Sequence, residues 1–225
     1  MKHILFLFAC VCLVTPRLVF SQDANEAIEP SVNGPGVIDL LRGNTLDVWK
    51  VPSAHWQLKE GSIVGETGTE KLSTPEWIYT QQRFGNFEFT CELKLTGDNR
   101  RNTGIYFRVN TISYRGRFEA PSGYEFDAAA TGDKLTGSVG DWYVRQSLRI
   151  SADSAVINQV YNSDKWNRMT LRARGNRLEY WINGIKIMDY QDPDPKGSRE
   201  GVIGFQMHDG SVMKIECRNI RVLPL

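Results

Sequence analysis

From residue 37 onward the chain consists mainly of short runs in which apolar and polar residues alternate, each bounded by Gly, Asn, Asp or Pro. A period of two sends successive side chains to opposite faces of an extended backbone, so such runs predict half-buried β-strands. The clearest cover 77–80, 87–95, 104–109, 124–128, 169–173, 177–182, 185–190, 202–207 and 213–222. Between two of them stands Asn183-Gly184, the pair that suits a two-residue type I′ turn, which predicts a hairpin. No amphipathic helical stretch of useful length is present, apart from a turn near 37–41. Many short strands without interleaved helices predict an all-β sandwich or jelly roll.

The first residues follow another pattern. Met1, Lys2 and His3 make a short cationic start, Ile4 to Val14 are almost wholly apolar, and Val19-Phe20-Ser21 supply residues a signal peptidase accepts. This layout predicts a signal peptide over residues 1–21 and a secreted or periplasmic protein. The apolar run of about eleven residues is too short to span a bilayer, which takes roughly 20. No later segment is apolar enough to cross one. Residues 22–36, polar and rich in Ala, Glu, Pro and Gly, are expected to form a mobile leader. Residues 37–225 then form one domain with a sizeable core.

Charge narrows the partners. Beyond residue 21 there are 25 basic and 26 acidic residues without a basic cluster, which argues against nucleic acid and anionic membrane. Six tryptophans suit either a large core or sugar-stacking surfaces. Cys91 and Cys217 remain after the signal segment, both at inward-facing strand positions. A disulfide and a pair of buried thiols are equally compatible with them. Neither has a Cys or His at metal-ligand spacing.

Glu125 and Asp127 stand at i and i+2 of a predicted strand, so both leave the same sheet face, about 6.6 Å apart along it. That spacing is compatible with paired acid and base work on a glycosidic bond. The Glu-x-Asp strand resembles the core of jelly-roll β-glucanases. Those continue with a further acid, whereas Ala128-Ala129-Ala130 follows here, which counts against ordinary retaining hydrolysis.

Several longer phrases occur in a fixed order. They include Ile38-Asp39-Leu40-Leu41 through Asp47-Val48-Trp49, Trp56-Gln57-Leu58-Lys59-Glu60-Gly61, Trp77-Ile78-Tyr79-Thr80 and Phe84-Gly85-Asn86-Phe87-Glu88-Phe89. Then come Asn102-Thr103-Gly104-Ile105-Tyr106-Phe107-Arg108, Gly123-Tyr124-Glu125-Phe126-Asp127, Leu135-Thr136-Gly137-Ser138, Lys165-Trp166-Asn167, Trp181-Ile182-Asn183-Gly184, Gly201-Val202-Ile203-Gly204-Phe205-Gln206-Met207-His208 and Arg218-Asn219-Ile220. In this order they resemble the 3-keto-disaccharide hydrolase family over about residues 37–225. The resemblance implies a concanavalin A-like jelly roll of two antiparallel sheets and activity on 3-keto sugars.

A C3 ketone acidifies the hydrogen at C2, so a base can remove it and expel the C1 substituent, after which water adds back. Such chemistry needs a base near C2, a donor or cation at the enolate oxygen and an acid for the leaving group. The candidates are Glu125 as base, Arg108 as enolate stabiliser and His208 or Asp127 as acid. Asn102, Gln206, Trp142 and Tyr143 are the candidates for holding sugar. No cofactor is expected. A divalent cation on Glu125, Asp127 and His208 is a variant without a dedicated motif behind it.

The family pattern usually has Gln at the position of Asp127 and often Asp at that of Ala130. The substitution at 127 adds a charge that can raise the Glu125 pKa or signal altered activity. Structural roles compete for each residue: Arg108 as an ion-pair partner, His208, Asn102 and Gln206 in ordinary hydrogen bonds, and Trp142 and Tyr143 as loop anchors. Trp49, Trp166 and Trp181 are expected in the core, and Arg218-Asn219 to fix the last strand. A lectin-like module that binds glycan without turnover is the rival reading.

Overall fold

The alternating runs become two antiparallel sheets in the computed structural model, which describes residues 27–130 and 135–225. The expected signal peptide and part of the expected leader lie outside the described residues. The strands are β1 (Ile38–Asp39), β2 (Trp49–Lys50), β3 (Trp56–Lys59), β4 (Ser62–Glu66), β5 (Glu76–Thr80), β6 (Phe87–Gly97), β7 (Asn102–Tyr114), β8 (Phe118–Ala129), β9 (Val139–Gly140) and β10 (Arg149–Ile150). After helix α1 (Ser154–Val160) come β11 (Asn167–Arg174), β12 (Arg177–Ile182), β13 (Ile185–Gln191), β14 (Val202–Met207) and β15 (Met213–Pro224). The first sheet runs β13-β12-β11-β6-β15-β4-β3, with β1 also on β15, and the second runs β10-β9-β8-β7-β14-β5-β2. This is the all-β, jelly-roll sandwich that the strand rhythm predicts.

Each strand turns its apolar residues inward. Phe89, Leu93, Leu171, Tyr180 and Ile215 of the first sheet meet Ile105, Phe107, Phe126, Phe205 and Ile78 of the second. Phe126 and Tyr180 stack across the gap with ring centroids 4.1 Å apart. Cys91 and Cys217 are buried here as free thiols. Asn183 and Gly184 both take positive φ, +51° and +93°, as a type I′ turn requires.

Three features depart from the sequence reading. Helix α1 forms in the connection after β10, with the Asp153 carboxylate capping the Ala155 N–H. Its seven residues bury only Ile157, so no apolar stripe announced it. Residues 27–33 are held against the outer face of the first sheet. Glu29 accepts hydrogen bonds from Arg168 Nε (2.9 Å) and Thr170 Oγ1 (2.6 Å), and Trp181 Nε1 donates to Ala27 O (3.0 Å). Trp181 is thus buried beneath this segment, flanked by Arg172 and Lys186, and not between the sheets. Trp166 is half-buried on that same outer face, under Lys94 and Arg218.

The third departure shapes the site. β7 and β8 extend well past the predicted 104–109 and 124–128, and a bulge interrupts their register between Phe107 and Asn110. Beyond it the hairpin carries Tyr114, Arg115 and Phe118 beside the outer face of the second sheet, where Phe118 stacks on Trp77 with centroids 6.0 Å apart.

Candidate active site

On the second sheet the residues that alternate with the core face outward. Asp127 of β8 pairs with Gly104 of β7, Glu125 with Tyr106, and Gln206 of β14 with Trp77 of β5. Glu125, Asp127, Tyr106, Asn102 and Gln206 line the floor of a cavity of about 530 Å³. Its walls are Trp142, Tyr143, Gln146 and Arg149 on one side, Tyr114 and Arg115 of the β7–β8 hairpin, Leu135, and His208 just after β14. Seven of the eight residues predicted for the site therefore converge here.

Glu125 and Asp127 are buried, with 2% and 1% of their surfaces exposed. Burial, and then the charge of Asp127, push the Glu125 carboxyl well above the usual carboxylate range. Hydrogen bonds from Tyr106 and Trp142 pull the other way without reversing the balance. Among the described residues its Oε1 and the buried Gln206 Oε1 have no hydrogen-bond partner. Asp127 is oriented by Ser138, whose hydroxyl donates to Oδ2 at 3.0 Å. Burial above all pushes the Tyr106 phenol far above its ordinary range, so it stays a donor.

Gly104 makes this arrangement possible. A Cβ there would stand 2.3 Å from Glu125 Oε1 and 2.5 Å from its Cγ, so the bare backbone lets Glu125 lean across the neighbouring strand. Gly140 plays the same part for the indole of Trp142, whose ring would lie 2.5 Å from an added Cβ.

His208 is half-exposed at the rim. Its Nδ1 lies 2.6 Å from the Asp209 carbonyl oxygen. A carbonyl only accepts, so Nδ1 carries the hydrogen and Nε2 is left as the basic nitrogen. Tyr143 is anchored edge-on against Trp77, Tyr114 and Phe118, with centroids 5.7, 5.1 and 5.9 Å away. Trp142 carries Arg149 over its ring, Cζ 4.6 Å from the centroid.

Arg108 is the exception and corrects the sequence reading. Strict alternation from Tyr106 would put it on the site face, but it sits in the β7 bulge with φ +51° and turns away. Fully buried, it donates from Nε to Gly85 O (2.8 Å), from Nη1 to Gly175 O (2.6 Å) and from Nη2 to Asn86 Oδ1 (3.2 Å). Gly123 and Gly201 accommodate the bulge, since a Cβ on either would meet the Arg108 backbone within 3 Å. Arg108 does not line the cavity. Arg218 also lies elsewhere, paired with Glu92 of β6 at 2.6 Å.

The sequence reading missed Tyr106, Tyr114, Arg115, Leu135, Gln146 and Arg149. Tyr106 was legible from its alternation with Gly104 across from Glu125, whereas the others depend on loop and hairpin placement. Among the described residues no group of three or more His, Cys, Asp or Glu is arranged to hold a metal ion.

Residues 36–223 match the model of the 3-keto-alpha-glucoside-1,2-lyase-like domain family. The chain belongs to this family. No curated protein matches it. Among solved structures, one from Parabacteroides distasonis described as a candidate glycosyl hydrolase superposes with a TM-score of 0.62 at 21% identity, covering 84% of this chain and 94% of its own. A carbohydrate-binding module from Bacillus subtilis gives 0.54 at 13% identity, over 77% and 94% of the two chains. The carbohydrate recognition domain of Emp47p gives 0.53 at 14%, over 88% and 97%. At such identities these likenesses speak for the sandwich fold.

Proposed function

We propose that this family member is an exported carbohydrate-active enzyme that cleaves 3-keto-disaccharides or 3-keto-glycosides by elimination and hydration. The observation that carries the reading is the Glu125 carboxyl, held protonated by burial and by Asp127, with one oxygen unpartnered on the floor of a cavity large enough for a sugar.

The geometry favours roles opposite to those first expected. A protonated Glu125 is an acid, and His208 Nε2 is the available base. His208 takes the C2 proton as the C3 carbonyl becomes an enolate, and the amide N–H groups of Asn102 and Gln206 are the donors on the floor for its oxygen. The enolate then re-forms the ketone and expels the C1 oxygen, which takes its proton from Glu125. The product is a 1,2-unsaturated 3-keto sugar. In the return half, Glu125 carboxylate deprotonates a water that adds to C1, and His208 gives its proton back to C2. Asp127 acts through its charge, which keeps Glu125 protonated between turnovers.

The test is incubation of the purified protein with 3-keto-trehalose or an aryl 3-keto-glucoside in deuterated water. Sugar release with deuterium entering C2 is the expected result. Glu125→Gln should slow release by about 10²–10⁴-fold while C2 exchange persists, and His208→Ala should abolish both. Release without C2 exchange would mean direct hydrolysis. Saturable binding with no turnover would reassign the chain as a lectin-like module.

A further inference from the structure

The walls of the cavity differ in charge from its floor. Arg115, at the tip of the β7–β8 hairpin, and Arg149, in β10, are both exposed and both line the mouth. Each is stacked on an aromatic wall residue: Arg115 Cζ lies 5.0 Å from the Tyr114 ring centroid and Arg149 Cζ 4.6 Å from that of Trp142. The two arms are tied across the mouth, since Gln146 Nε2 donates to the Tyr114 hydroxyl at 3.3 Å.

Several arginines elsewhere are neutralised by carboxylates. On the outer face of the first sheet Arg172 pairs with Glu88 and Glu179, Arg177 with Asp189, and Arg218 with Glu92. Arg115 and Arg149 have no carboxylate partner among the described residues. Among the described residues the carboxylates that line the cavity or flank it are otherwise engaged. Glu125 is held neutral, Asp127 lies on the floor beside Ser138, and Asp209 lies beside the His208 ring, Oδ1 3.5 Å from Nδ1. Stacking occupies the flat face of a guanidinium and leaves its edge donors free, the geometry that grips an oxyanion in the plane of the fork.

We infer that the substrate carries a negatively charged group, a carboxylate or sulfate, on its C1 substituent, and that Arg115 and Arg149 hold it at the cavity mouth while Glu125 and His208 address the sugar on the floor. The inference rests on the carbohydrate reading of this cavity and adds the class of leaving group. The other anion-bearing position, the sugar itself, would place the charge against Asp127 on the floor.

Three probes test it: the 3-keto-glucosides of 3-carboxyphenol, 3-sulfophenol and the neutral 3-carbamoylphenol. Binding is measured on the Glu125→Gln protein, so that turnover does not consume the ligand, and phenol release is measured on the unmodified protein. The expected result is about tenfold tighter binding of the two anionic probes than of the neutral one. This preference should shrink as salt rises from about 0.1 M to about 1 M and the screening length falls from about 10 to about 3 Å. In Arg115→Gln/Arg149→Gln the anionic-to-neutral affinity ratio should fall to about one, and Arg115→Glu should invert it. A ratio near one in the starting protein, failure of the anionic probes to bind, or a ratio that survives the double substitution would overturn the inference. The arms also separate the two claims. Phenol released from the neutral probe with a ratio of one sinks only the anionic leaving group. A salt-sensitive preference without release from any probe sinks only the catalytic reading.

Discussion

Glu125 sets the pH behaviour of the molecule. Its pKa in the folded state is raised above the unfolded value, because burial and then Asp127 disfavour the carboxylate. A raised pKa means the folded state binds the proton more tightly, so the contribution of this group to stability is fully present below about pH 4.3, the unfolded value. It is lost as pH rises toward and through the folded value. Glu125→Gln keeps the shape and cannot ionise, so its melting temperature should gain steadily on that of the unmodified protein between about pH 5 and pH 9. Thermal unfolding across that range checks it, and a constant difference would mean that Glu125 does not titrate against the fold. The charge of Asp127 adds to this behaviour after burial.

At the scale of elements, the loop between β9 and β10 brings Trp142 and Tyr143 to the cavity, and one arginine holds it there. Arg145 Nε donates to Asp141 Oδ2 (2.9 Å) at the start of the loop, and Nη1 donates to Asp192 Oδ2 (2.6 Å) on the scaffold. Asp192 is itself fixed by the Tyr124 hydroxyl at 2.6 Å. All three members of this pairing are largely buried, with side chains 10%, 4% and 1% exposed for Arg145, Asp141 and Asp192. Removing one partner of such a cluster strands the other charges, so Arg145→Ala should destabilise the fold by about 3 kcal/mol. Arg145 does not line the cavity and is a positioning residue. Its loss should lower kcat/KM by about 10–100-fold, through misplacement of Trp142 over Glu125. Arg145→Lys, which keeps the charge without the two-pronged fork, should recover part of the stability and little of the rate. Urea denaturation alongside steady-state kinetics distinguishes this from simple unfolding, which would move both together.

At the scale of the whole molecule, the guanidinium of Arg108 joins the second sheet to the turns that enter the first. Gly85 and Asn86 precede β6, and Gly175 joins β11 to β12. In Arg108→Met the carbonyls of Gly85 and Gly175 lose this donor, whereas Asn86 Oδ1 keeps the Gly175 N–H at 2.9 Å. A loss of about 1–3 kcal/mol in urea unfolding is expected, with the rate per folded molecule within about twofold of the original. A large fall in rate without loss of stability would restore Arg108 to the chemistry. No described helix is long and apolar enough to cross a membrane.

Alternation and turn chemistry by themselves determined the sandwich, because a period of two and an Asn-Gly turn are local properties that burial only confirms. The same periodicity put Glu125 and Asp127 on one face, and the ordered phrases gave the family. What alternation could not supply was any residue whose direction depends on a break in the period. Arg108 follows Tyr106 at the right spacing, but the bulge reverses it, and a bulge is set by partners on another strand. Arg115 and Arg149 belong to a hairpin tip and a two-residue strand without a sequence pattern of their own. Only the packing of those segments over the second sheet makes them the walls of a cavity. The exchange of roles proposed for Glu125 and His208 likewise rests on burial, which decides where a proton resides and is a property of three-dimensional surroundings.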